Sequence, residues 1–272
     1  MLQRTSATVV TCAAASVEIS AQTLGDVRIL KAIGAYGDVM TPLSAAILRV
    51  LAEEPGAVAC DLSAVVWASG PGGEEGPCSL AQLGECVRSW PGTPVLVACP
   101  DARVRAALQR QQGGIHVVFT DGMAAALEGA LGGSRRVERL ALWPLHSAPG
   151  TARAFTRRMW QQWRLPGDSV SAMLVTSELV TNAVLHARTD HLELSLALHD
   201  ERMRIAVRDG DTRPPALRLL TVDQLGGRGL MLVDALSAGW GVLPANDGKA
   251  VWAVLDVGRA VEKPLLLHRV LV

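Results

Sequence analysis

Lysine is nearly missing from this chain. Lys31, Lys249 and Lys263 are the only three, so arginine supplies almost all of the positive charge. Acids and bases cancel at 26 each, and a chain without net charge lacks the basic footprint of a nucleic-acid binder. DNA and RNA are therefore set aside as direct partners. No stretch approaches the roughly 18–20 uncharged apolar residues of a membrane span, which argues against a membrane anchor. The five cysteines, Cys12, Cys60, Cys78, Cys86 and Cys99, are odd in number, show no CxxC spacing and lie in the first half. That pattern speaks against a disulfide framework and a zinc site. It favours free thiols in a reducing compartment, so a cytoplasmic location is expected. Met1 to Ala15 has one arginine among small apolar residues, and Thr8 to Ser20 reads as a frayed start and early strand rather than a secretory leader.

What is plentiful is apolar material. Hydrophobic residues reach 49 % of 272, enough for two cores at roughly 100–200 residues per domain. A composition break falls at Leu131-Gly132-Gly133-Ser134-Arg135-Arg136. The expected division is a first domain over 1–131, a linker over 132–138, a second domain over 139–262 and a tail over 263–272.

The first domain alternates strand and helix signals. Val27, Ile29, Lys31 and Ile33 have period two, and Ala57 to Leu62 and Val95 to Cys99 read as buried strands. Thr41-Pro42 reads as a helix N-cap followed by proline at the first helical position, ahead of the stripe Leu43, Ala46, Ile47, Val50 and Leu51. Asp101 and Asp121 are placed to open two further helices around a strand at Ile115 to Phe119. This rhythm predicts an α/β layer with a central sheet. The second domain reads differently. Helices are expected over about Thr151 to Trp163 and from Asp168 to about Ala187. A hairpin follows: Leu192, Leu194, Leu196 and Leu198 on one strand, Met203, Ile205 and Val207 on its partner. A helix near 229–236 and strands near 239–243 and 250–256 complete an α+β layer, with helices on one face of a largely antiparallel sheet.

Three pieces of this second domain can carry chemistry. Glu178, Asn182 and His186 sit at i, i+4 and i+8, in one row of a helix. Such a row is also what the solvated face of an amphipathic helix looks like. Yet an amide oxygen can enter an octahedral Mg²⁺ shell, and a carboxylate one turn away can accept a proton from an attacking hydroxyl. Asp209-Gly210 ends the second hairpin strand, where a carboxylate can accept a hydrogen bond from an adenine amino group. Ordinary turn chemistry uses the same pair. Gly226-Gly227-Arg228-Gly229-Leu230 precedes a helix. It is either a flexible linker or an anion site made of unhindered backbone N–H groups.

In this order the pieces resemble the motifs of the GHKL ATPase and kinase superfamily. SELVTNAVLHA (Ser177 to Ala187) is similar to its N-box, VRDGD (Val207 to Asp211) to its first glycine box, GGRGLMLVDAL (Gly226 to Leu236) to its second, and GKAVWAVL (Gly248 to Leu255) to its closing strand. Within the superfamily the sequence most resembles the anti-sigma-factor serine/threonine kinases, over about residues 140–257. The resemblance implies a Bergerat-type ATP site. Glu178 would be the general base and Asn182 the Mg²⁺ ligand. Asp209 would read adenine, and Gly210 would line the base pocket. Gly226, Gly227, Arg228, Gly229 and Leu230 would surround the phosphates, with His186 at the end of the N-box row. Asp211-Thr212-Arg213 stands where a DxGxG pattern would continue, and Ala250 where relatives usually carry threonine.

The first domain resembles a STAS domain, the fold of the anti-sigma-factor antagonists, through GAYGDVMTPLSAAILRVL (Gly34 to Leu51), ACDLSAV (Ala59 to Val65) and VLVACPDARVRAAL (Val95 to Leu108). Ser69 is the only candidate for the phosphorylated serine of that family. Together the resemblances imply an ATP-binding regulator of a partner-switching system. As a serine kinase, a transferase, it would phosphorylate an anti-sigma-factor antagonist and so set sigma-factor availability in transcription regulation. The alternative is a nucleotide-dependent binding module that sequesters its partner without chemistry. Relatives of this kind are often homodimers.

Overall fold

The structure is a computed structural model and describes residues 17–67, 90, 93–111, 117–131, 136–186, 189–199, 201–211, 228–245 and 247–257. The chain divides into two units, Met1–Ser134 and Arg135–Val272. Both mix sheet and helix, so the fold is α/β plus α+β, as expected.

In the first unit, strands β1 (Glu18–Leu24), β2 (Val27–Ala35), β3 (Ala57–Val66), β4 (Val95–Ala98) and β5 (Val117–Thr120) form one sheet in that order. Strands β1 and β2 pair antiparallel as a hairpin, and the remaining pairs are parallel. Parallel neighbours need crossovers: α1 (Tyr36–Leu51) lies between β2 and β3 and α2 (Ala102–Gln111) between β4 and β5, while α3 (Met123–Leu131) follows β5. Strands β3 and β4 read as continuous apolar runs because they are covered: Ala57, Val58, Ala59, Cys60 and Val95 are wholly buried. Asp101 does cap α2, accepting hydrogen bonds from the N–H groups of Arg103 and Val104 at 2.8 and 3.1 Å.

Helix α1 corrects one expectation. It begins at Tyr36, and Pro42 lies inside it rather than at its first position. Val39 and Met40 explain the earlier start, because both are buried on the same apolar face as Leu43, Ile47 and Leu51. Burying two large side chains at about 25 cal/mol per Å² offsets the backbone hydrogen bond that proline removes.

The second unit holds β6 (Arg136–Leu142), α4 (Ala148–Gln162), α5 (Val170–His186), β7 (Leu192–His199), β8 (Arg202–Asp209), α6 (Arg228–Leu236), β9 (Gly239–Ala245) and β10 (Gly248–Asp256). Its sheet runs β6-β7-β8-β10-β9, and every described pair is antiparallel. Arg136, Val137 and Glu138, assigned above to the linker, open β6. An edge strand with one exposed side has no need for more apolar residues, so its polar alternation looks like a connector. Pro244 sits on the other edge strand, β9, where a missing N–H is tolerated.

The core of this unit lies between the helices and one sheet face. Leu192, Leu194, Leu196, Met203, Ile205, Val207, Ala253 and Leu255 meet Phe155, Met159, Trp160, Val175, Leu179, Val180 and Val233. Thr156 of α4 and Thr176 of α5 join their hydroxyls at 3.0 Å inside it, so neither buried oxygen is left unpaired. Asp168 accepts a 2.9 Å hydrogen bond from the Val170 N–H and starts α5.

Candidate functional site

The site is organised by α5, whose buried face (Ala172, Val175, Thr176, Leu179, Val180, Ala183) is fixed on the core. With that face turned inward, the row Glu178, Asn182 and His186 is left at the helix side: the first two half-buried, the third exposed. None of the three has a hydrogen-bond or ion-pair partner among the described residues.

Helix α6 brings Gly229 to this row. Gly229, in its first turn, lies against α5 so closely that a β-carbon there would collide with Glu178 Oε2 and come to 3.8 Å from Asn182 Oδ1. Trp240 of β9 donates a 3.0 Å hydrogen bond from Nε1 to Asp234 Oδ1 of α6, which ties the far end of that helix to the sheet. The structure thus brings together Glu178, Asn182 and Gly229. Leu230 is half-buried in the same turn, and Arg228 is the first residue of the helix. Gly226 and Gly227 lie outside the described residues, as does Ser69.

Asp209 follows Met203, Ile205 and Val207 on the sheet face turned toward the helices, and it is buried at 4 % exposure. Its Oδ1 accepts the Asp211 N–H at 2.9 Å and the Lys249 ammonium at 2.9 Å. Gly248 packs on the Asp209 carbonyl with no space for a side chain, and Gly210 faces the Thr189 hydroxyl, 3.1 Å from where its own β-carbon would stand. Lys249 was quoted in the closing strand above but given no role. The signal that could have found it is positional: once β8 and β10 are paired, it stands directly opposite Asp209.

Around Asp209 and Gly210 opens a cleft of about 780 Å³ that is also lined by Thr189, Asp190, His191, Glu193, Arg208 and Asp247. Glu178, Asn182 and His186 are not among its lining residues. Its wall is polar and ion-paired. Arg208 Nη2 donates to Asp247 Oδ1 at 2.5 Å, and this bond holds the Asp247 carboxyl below its ordinary value. His191 beside Asp190 likewise lowers the Asp190 carboxyl.

The arrangement can be tested for the nucleotide and Mg²⁺ that the motifs imply. A glycine packed against a carboxylate and an amide, and a buried carboxylate at a strand end, are the oxygen donors and close backbone approach that a metal-bound phosphate and a base require. The residues fit the group. Among the described residues no cluster of three or more His, Cys, Asp or Glu could hold a metal by protein ligands alone.

No curated protein matches the chain. Among solved structures, the RsbU and RsbW domains of a Mycobacterium tuberculosis protein match at 20 % identity and a TM-score of 0.36, covering 46 % of this chain and 33 % of that one. This chain therefore spans about a third of that structure's length. An anti-sigma factor antagonist from Mycobacterium paratuberculosis matches at 21 % identity and a TM-score of 0.31, over 43 % of this chain and 95 % of its own. The histidine kinase domain of a blue-light activated kinase from Erythrobacter litoralis matches at 26 % identity and a TM-score of 0.27, over 32 % and 43 %. Among the described residues no helix is long and apolar enough to cross a membrane. The family model of the histidine kinase-like ATPase domain matches residues 143–255, the stretch that holds α4, α5, the hairpin, α6 and all but the last residue of β10.

Proposed function

We propose that the second unit binds Mg·ATP and transfers its terminal phosphoryl group to a serine on an anti-sigma-factor antagonist of the STAS type. Sigma-factor availability would follow from that transfer. The observation that carries this reading is the apposition of Gly229 to Glu178 and Asn182, which sets a carboxylate and an amide oxygen beside the start of α6. Bound Mg·ATP would supply the transferable group; Asn182 would be its Mg²⁺ ligand and Glu178 the general base for the incoming serine hydroxyl. Asp209 would accept from the base, Gly210 would keep the neighbouring backbone bare, and Gly226, Gly227, Arg228, Gly229, Leu230 and His186 would border the phosphates. Phosphoryl transfer asks mostly for positioning and charge neutralisation, so this short roster suffices. The first unit, in this reading, is a STAS-like domain kept for contacts.

The test is incubation of the full chain with labelled ATP, Mg²⁺ and candidate antagonists. Phosphoserine should form and should vanish in Glu178→Ala. Binding of ATP with no transfer to any antagonist would instead support the sequestering module, the reading favoured by Asp211 in place of a continued glycine box.

A further inference from the structure

The end of β8 is held by the first two residues of β10. A β-carbon at Gly248 would collide with the Asp209 carbonyl oxygen, and Lys249 stands directly opposite Asp209 in the ladder. The Lys249 and Asp209 side chains are 11 % and 3 % exposed. The ammonium donates to Asp209 Oδ1 at 2.9 Å and to the Asp211 carbonyl at 3.1 Å. The same Oδ1 accepts the Asp211 N–H at 2.9 Å. One ammonium thus grips both ends of the turn Asp209-Gly210-Asp211, and the turn closes on the carboxylate oxygen that the ammonium binds. Register puts the two groups together. Lys249 shares its face of β10 with Val251, Ala253 and Leu255, and Asp209 shares its face of β8 with Met203, Ile205 and Val207, the face that packs on the helices.

We infer that Lys249 is a positioning residue: it makes no contact with nucleotide and acts through Asp209, holding that carboxylate and the Gly210 backbone where the base is received. This rests on the ATP-binding reading above, in which Asp209 accepts from the adenine amino group. The bond from the Asp211 N–H to Asp209 Oδ1 is local, so it fixes the carboxylate relative to its own turn and not relative to the sheet. The lysine supplies the missing tie, because its backbone belongs to β10 and its ammonium reaches both ends of the turn. A bond between two charged groups is roughly twice as strong as one between neutral groups, so it outweighs the local one in fixing the carboxylate. The tie also carries the counter-charge. Removing the ammonium leaves a buried carboxylate uncompensated, and the side chain then turns toward water and away from the base.

The experiment is calorimetry on the full chain with ATP and with purine riboside triphosphate, in which hydrogen replaces the 6-amino group. Wild type should bind the analogue about tenfold more weakly than ATP, the usual size of a lost hydrogen bond to a charged group. Lys249→Met should bind the two ligands about equally, and Lys249→Arg, which keeps charge and donors, should recover most of the preference. Added to Asp209→Asn, Lys249→Met should cost no further ATP affinity, because a residue that acts only through Asp209 has nothing left to act on. That double variant buries no unpaired charge, so the comparison stands even where Lys249→Met alone does not fold. A lower unfolding temperature with the tenfold preference intact in Lys249→Met would make the lysine structural only and overturn the inference. So would a further loss of affinity in the double variant, which would place Lys249 on the nucleotide. Equal binding of both ligands by wild type would take Asp209 off the base, and the role of Lys249 with it, while leaving the ATP site standing. Absence of ATP binding by wild type would remove the nucleotide site itself.

Discussion

Glu178, midway along α5, and Gly229, in the first turn of α6, lie so close that a β-carbon on the glycine would occupy the place of the carboxylate's Oε2. The obstructing atom is the far end of a flexible side chain, so it can move aside. In a helix, alanine is favoured over glycine by about 1 kcal/mol. Gly229→Ala should therefore keep or raise the thermal unfolding temperature while lowering ATP affinity, because Glu178 is pushed from its station. Unfolding curves and nucleotide calorimetry on the same sample separate the two effects. Undiminished ATP affinity would show that this apposition is not part of a nucleotide site.

Asn182 supplies an amide oxygen and no charge, so its removal should be felt through the cation. Asn182→Ala is expected to lose most of the gain in ATP affinity that Mg²⁺ brings, with little change in binding measured in the presence of a chelator. Titrations with and without Mg²⁺ give the ratio. An equal loss in both conditions would place Asn182 on the nucleotide or in the packing instead.

At Gly248 the neighbour is rigid. A β-carbon would meet the carbonyl oxygen of Asp209, and the backbone of β8 has no other place to go while the ladder to β10 holds. Gly248→Ala should cost about 1–3 kcal/mol, as over-filling of a packed site does. Denaturant unfolding followed by the fluorescence of Trp240 and Trp252, which flank this turn on β9 and β10, is the measurement. An unchanged midpoint would mean that the β8–β10 register is looser than described.

Cys60 is wholly buried in β3, and burial pushes its thiol up to about 12. It is therefore a neutral thiol at physiological pH and should resist iodoacetamide in the folded chain, reacting only after denaturation. The sign of its pH linkage follows. The folded-state value lies above that of an unfolded thiol, about 8.5, so its contribution to stability is complete below that pH. The contribution is lost as pH rises from there toward about 12. Stability measured at pH 8 and pH 10 should fall less in Cys60→Ala than in wild type, once the cost of the small cavity is subtracted.

Much of this was legible in the chain itself. Period two at Leu192, Leu194, Leu196 and Leu198 marked the helix-facing side of β7, although Ser195 and Ala197 on its other side are buried as well. Asp101 and Asp168 marked helix starts, because a short carboxylate side chain is the local solution for free N–H groups. The N-box row was visible for the same reason: four-residue spacing is a property of any helix, whatever packs on it. Signals of this kind are local, and local geometry is written in neighbouring residues.

Only the tertiary structure decided the rest. Pro42 marked a helix start by its own preferences, yet burial of Val39 and Met40 carried α1 back to Tyr36. Arg136 to Glu138 looked like a connector until an edge position made their polarity affordable in β6. Glu178 and Gly229 are 51 residues apart, and Asp209 and Lys249 are 40. Each motif could be named from the sequence, but which atoms of one touch which atoms of another depends on sheet register and helix packing. Those are set by the whole core, through contacts that no window of neighbouring residues contains.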